Sequence, residues 1–157
     1  MIQCILAMMK QMITTFTAIA MVSVGFSADA VKLELTGNDQ MQYNKKELTV
    51  TTGQEVTLTF KHVGKLPKAA MGHNVVILKP GTEIAPFAMK AASQAANDYI
   101  PKEEKFTDLI VVHTEMLGGG EDTSITFTAP EPGIYPYLCS FPGHFGMMNG
   151  KFIVKAE

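Results

Sequence analysis

The chain contains no Arg and no Trp. All 13 of its basic residues are Lys, set against 15 acidic ones, for a formal net charge of -2. A nucleic-acid binder would show a basic patch with Arg for bidentate contacts, so that class is excluded. No heptad run is present, which argues against a coiled coil or a helical bundle. There are only 2 Cys in 157 residues, so a disulfide-rich scaffold is excluded too. What is present is a hydrophobic content of 46%, too high for a disordered chain, in a length that suits a single domain.

Residues 1–30 read as an address. Lys10 precedes an apolar stretch from Met12 to Phe26, and Ala28-Asp29-Ala30 fits a small-residue cleavage site. The stretch is shorter than the ~20 residues of a membrane span, so a cleaved secretory signal is preferred to an N-terminal anchor. Lipid attachment at Cys4 does not fit, because a lipidated Cys would follow the apolar stretch. The mature protein is then one domain over residues 31–157, exported to the periplasm. Cleavage removes Cys4 and leaves Cys139 alone. A single thiol in an oxidising compartment calls for an occupant, and a metal is one answer.

The mature chain is punctuated by turns. Alternating runs occur at Val31–Leu35, Glu47–Val50, Glu55–Phe60 and Thr123–Phe127, with further strand-like runs at Leu109–Val112, Ile134–Leu138 and Lys151–Val154. Val75–Leu78 is continuously apolar and reads as a strand buried on both faces. About eight short strands imply an all-β, antiparallel Greek-key β-sandwich. Period-2 alternation should turn Leu33, Leu35, Val56, Leu58 and Phe60 into the core. Alanine-rich Ile84–Asp98 breaks the pattern and predicts one short inserted helix, with Pro86 in its first turn. Gly118-Gly119-Gly120 is a loop tip; no helix and no Lys-Ser/Thr pair follows it, so it is not a phosphate cradle.

The chemistry is concentrated in Cys139-Ser140-Phe141-Pro142-Gly143-His144-Phe145-Gly146-Met147-Met148. A loop after a strand can wrap around one point and bring thiolate, imidazole and thioether together. His73 is the candidate for a second imidazole. Two His, one Cys and a weak axial Met make the ligand set of a blue-copper electron-transfer site. Thiolate and thioether suit Cu(I), and imidazole suits Cu(II), so one trigonal set serves both states. Taken singly, each residue has an ordinary reading: a buried core Cys, a structural His, a Met filling the core. The spacing C-x4-H-x3-M, in a β-rich chain with one mature Cys, favours the metal. Either Met147 or Met148 could supply the thioether. A Cys139 nucleophile with a His base is disfavoured, because no third orienting group is evident and the Met would have no purpose. No enzymatic activity is expected.

On these residues the chain closely resembles the azurins, bacterial blue-copper proteins of the cupredoxin family. The matching stretches are Gly37-Asn38-Asp39-Gln40-Met41-Gln42, Leu66-Pro67-Lys68, Met71-Gly72-His73-Asn74, Asp98-Tyr99, His113-Thr114, Gly118-x-Gly120-Glu121 and Cys139-x-Phe141-Pro142-Gly143-His144. The resemblance implies one copper with His73, Cys139 and His144 as strong ligands. It implies Met148, rather than Met147, and the Gly72 carbonyl as distant axial ligands. It also implies hydrogen bonds to the Cys139 sulfur from Asn74 and the Phe141 N–H, and an apolar docking patch of Met41, Leu66, Met71, Phe141 and Pro142 around the edge of His144. The implied activity is electron shuttling by a monomer between redox proteins, such as small c-type cytochromes or periplasmic reductases. A copper-delivery protein without electron transfer would use the same ligands. His62 matches a non-ligand histidine of the family, and His113 a surface one. Two departures stand out. The disulfide typical of azurins has no cysteines here, with Val31 at one position and Gly53 or Gln54 near the other. Val75 stands where many azurins carry a buried Trp.

Overall fold

The computed structural model describes residues 30–157. Apart from Ala30, the expected leader lies outside them. Nine strands are present among the described residues: β1 Val31–Asn38, β2 Gln42–Tyr43, β3 Glu47–Thr51, β4 Glu55–His62, β5 Val76–Leu78, β6 Ile110–His113, β7 Asp122–Thr128, β8 Gly133–Leu138 and β9 Asn149–Lys155. They form two sheets, ordered β2-β1-β4-β7 and β3-β9-β8-β5-β6. The all-β sandwich expected from the sequence is therefore present, with one correction to its pairing. β1 runs parallel to β4, and β3 parallel to β9, while the other ladders are antiparallel. Alternation reports which face is buried but not which way a neighbour runs.

The alternation of β4 is strict: Val56, Leu58, Phe60 and His62 point inward. Val56, Leu58 and Phe60 meet Leu35 of β1, Tyr135 and Tyr137 of β8, and Phe152 and Val154 of β9 in the main core. Leu33 is only half-buried and packs at the rim of this core. Val75 and the three residues of β5 are all fully buried, as a strand with two covered faces requires. Val75 and Ile77 enter the main core, whereas Val76 and Leu78 enter a second cluster under the inserted helix.

That helix, α2 (Ile84–Ala92), seals the second cluster with Phe87, Ala88 and Ala91. It is shorter than the predicted Ile84–Asp98. The Ser93 hydroxyl donates to the Lys90 carbonyl, the Asn97 side-chain amide donates to the Ile100 carbonyl, and a 3₁₀ turn lies at Ala95–Asn97. Short polar side chains that bond nearby backbone end a helix in this way. Asp98 and Tyr99 then adopt positive φ and turn the chain away. Two single-turn helices, α1 (Lys68–Met71) and α3 (Glu104–Thr107), add to the one helix expected. Among the described residues no helix is long and apolar enough to cross a membrane.

Candidate metal centre

Three loops converge at one end of the sandwich. The β1–β2 turn is closed by the Asn38 side chain, which accepts the Gln40 and Gln42 N–H groups. The Asp39 carboxylate accepts the Lys65 and Leu66 N–H groups, fastening this turn to the loop that leads into α1. Beyond α1, the backbone of His73 exchanges two hydrogen bonds with Leu117, at 3.0 and 2.8 Å. The third loop follows β8 and runs from Cys139 to Met148. It is closed by Cys139 N–H on the Met148 carbonyl (2.9 Å) and Met148 N–H on the His144 carbonyl (2.8 Å).

These loops bring His73, Cys139 and His144 together. Their ligand atoms all lie within 4.8 Å of one another, and all three residues are buried. The two Nδ1 atoms are 3.2 Å apart, and the Cys139 Sγ lies 3.9 Å from that of His73 and 3.7 Å from that of His144. A trigonal ion with bonds of about 2.0 Å to nitrogen and about 2.3 Å to sulfur would need its donors about 3.5 to 3.7 Å apart. The donors are thus arranged around a point that can hold one ion. The Gly72 carbonyl oxygen is 3.8 Å from the same sulfur. Met148 is fully buried, whereas Met147 is 50% exposed. The Met148 Cε and the His73 Cδ2 crowd the same side of Gly37, where a Cβ would meet them at 3.2 and 3.1 Å. Of the two candidate thioethers, only that of Met148 is on the inside.

The neighbours fix the chemical state of each donor. The His73 Nε2–H donates to the Asn38 carbonyl at 2.8 Å, which leaves the Nδ1 lone pair facing the centre. Burial lowers the pKa of His73 and pushes that of His144 down to about 4, the latter helped by the charges His73 and His62 would carry. Both rings are therefore neutral lone-pair donors. Burial pushes the Cys139 thiol up to about 12, against hydrogen bonds from the Asn74 and Phe141 backbone N–H groups to its sulfur. A cation at the centre would displace that proton and gain a thiolate already supplied with donors. The Asn74 side chain does not touch the sulfur. It is paired with Ser140, accepting its N–H at 2.9 Å and donating to its hydroxyl at 2.8 Å. The support expected from Asn74 therefore comes from its backbone, while its side chain ties the two ligand loops together.

The other expected residues fall as follows. His62 is buried and stacks on His73 with centroids 4.3 Å apart. Its Nε2–H donates to the Met71 carbonyl, and its Nδ1 accepts the Gly64 N–H. His113 is exposed and bonds its neighbour's carbonyl. Phe141 packs on the His144 ring at 4.6 Å. Met41, Met71 and Phe141 are half-buried, Pro142 is exposed, and Leu66 is 41% exposed. Among the described residues, Cys139 is free. The sequence reading missed the Asn38 carbonyl, which orients His73, and a backbone acceptor leaves no side-chain signature to find.

Comparison with known proteins agrees with this geometry. Residues 29–155 match the family described as copper binding proteins, plastocyanin/azurin family. The chain belongs to that family. It is 43% identical over 127 residues to the azurin of Alcaligenes faecalis, covering 77% of this chain and 95% of that one. Among solved structures it is similar to auracyanin A, a "blue" copper protein of Chloroflexus aurantiacus, with a TM-score of 0.71 and 32% identity over 80% of this chain and 99% of the other. It is similar as well to an azurin of Methylomonas sp. strain J, with a TM-score of 0.68, 32% identity, and 82% and 99% coverage. For a plastocyanin/azurin family member, a cluster of two imidazoles and one thiol with Met148 alongside fits one type 1 copper.

Proposed function

We propose that the protein is a one-electron carrier with a single type 1 copper held by His73, Cys139 and His144, and by Met148 and the Gly72 carbonyl as weaker axial ligands. The observation that carries this reading is the buried convergence of His73, Cys139 and His144, whose donor atoms lie within 4.8 Å of one another. Copper, when bound, supplies a Cu(II)/Cu(I) couple whose two states accept the same mixed nitrogen and sulfur donors. The protein's part is to keep those donors still. His73 is fixed by Asn38 and Leu117, the Cys139 sulfur by two N–H donors, and the ligand loop by its own closing hydrogen bonds. Ligands held in this way need little rearrangement when the charge changes. Burial keeps water away from the three donors.

His144 is the ligand nearest the outside, 4% exposed, with Phe141 against its ring. The surrounding Met41, Leu66, Met71, Phe141 and Pro142 form the docking face for small redox proteins. A small apolar face suits brief, weak encounters. The reading also takes residues 31–157 as one exported, monomeric, periplasmic domain, and assigns it no catalytic activity.

The test is reconstitution of the mature chain with one equivalent of Cu(II). An intense blue band that mild reductant bleaches is expected, and Cys139→Ser should lose it. A protein that binds copper without the band would favour copper delivery instead.

A further inference from the structure

Two buried tyrosines cross the interior next to the centre. Tyr43 starts from the short edge strand β2 and sends its hydroxyl across the sandwich to the Asn74 carbonyl. Tyr137 starts from β8, two residues before Cys139, and its hydroxyl donates in the opposite direction to the Lys45 carbonyl at 2.7 Å. The rings contact one another with centroids 5.5 Å apart, and Tyr43 also meets Phe60 edge-on at 6.0 Å. Space is kept for Tyr137 by Gly150, where a Cβ would collide with its ring. A core needing only volume would be filled by Phe at both positions. Each hydroxyl here has a specific partner, and a buried hydroxyl without one is costly.

The two partners differ in consequence. Lys45 lies in the connection between β2 and β3, and the hydrogen bonds it makes go to Glu34 and Tyr137. Asn74 follows His73 and donates its N–H to the Cys139 sulfur. With its side chain locked to Ser140, Asn74 has one remaining polar group, its carbonyl, and Tyr43 holds that. Burial keeps the Tyr43 phenol well above its usual range, so it stays a donor.

We propose that Tyr43 is a positioning residue for the metal centre: its hydroxyl fixes the Asn74 carbonyl and thereby holds the Asn74 N–H on the Cys139 sulfur. The inference deepens the electron-carrier reading and rests on it. A hydrogen bond to the sulfur withdraws charge and favours the reduced metal. Loosening it favours the oxidised one.

The test compares Tyr43→Phe with Tyr137→Phe. Each change removes one buried hydroxyl from the same core, so both lower thermal stability. In the copper-loaded protein, Tyr43→Phe alone should move the Cu(II)/Cu(I) equilibrium toward Cu(II), by roughly threefold or more, equivalent to losing part of one hydrogen bond to a charged group. In the metal-free protein, the Asn74 amide should exchange with solvent roughly fivefold faster in Tyr43→Phe, the worth of one ordinary hydrogen bond. Tyr137→Phe should leave both readouts at the wild-type value. Equal shifts in both variants would reduce Tyr43 to a packing role, and no shift in either would overturn the inference. A wild-type protein without the blue band would instead defeat the electron-carrier reading, while the amide exchange still decides the role of Tyr43.

Discussion

At Gly72 no side chain can be accommodated. A Cβ there would lie 2.7 Å from the Lys68 carbonyl oxygen and 3.0 Å from both Met116 Sδ and Phe141 Cδ2. The Lys68 atom is backbone and cannot swing aside. Gly72→Ala is therefore expected to cost about 1–3 kcal/mol, the usual range for overpacking. It should also weaken copper binding, because the strain falls between α1 and His73. Denaturant titration of the metal-free protein and a copper titration would check the two effects; an unperturbed variant would contradict the crowding. Residue by residue, the side-chain donors are what the sequence discloses. Cys139, His144 and Met148 share one short loop with ligand spacing, and His73 is the complementary imidazole. The Gly72 carbonyl, proposed as an axial ligand, enters only through the family resemblance. The Asn38 carbonyl and the backbone donors of Asn74 and Phe141 have no side-chain signature at all. Met148 over Met147 is legible only by resemblance, and burial of one and exposure of the other supply the physical reason.

At the scale of elements, α2 stands outside the main core and closes a smaller one. Phe87 is its largest buried residue, clustered with Val76, Leu78, Leu138 and Ile100. Phe145, the residue after His144, packs at the edge of the same cluster. The helix thus supports the ligand loop from behind. Phe87→Ala should cost about 3–5 kcal/mol, as truncation of a buried Phe does. Copper should also leave this variant faster than wild type in the presence of a chelator. An unchanged loss rate would mean that the loop is held without the helix. Strands such as β4 were readable because one face is wet and one dry. β2 was not, because two residues give no period. The helix end at Ser93 was hidden because alanine-rich sequence continues past it, and the carbonyl-seeking Ser93 and Asn97 decide the boundary.

For the whole molecule, stability has to come from the two hydrophobic clusters, since Cys139 is free and no other Cys lies among the described residues. A disulfide at the family's usual place would typically add 2–4 kcal/mol. Residues 31–157 should therefore melt at the same temperature with and without a thiol reductant under metal-free conditions. A lower melting point in reductant would reveal a bond that this chain should not have. Metal binds the folded state through groups that only folding brings together, so copper at 100 times its dissociation constant should add about 2.7 kcal/mol.

In the proposed copper site the ligands stay in place while one electron comes and goes. The decisive measurement is a stepwise redox titration of copper-loaded residues 31–157, followed through the visible band. One electron per protein, full bleaching, and full return of the same blue spectrum on reoxidation through repeated cycles are expected. A copper-loaded protein with no blue band, or one that releases its metal on reduction, would contradict the proposal.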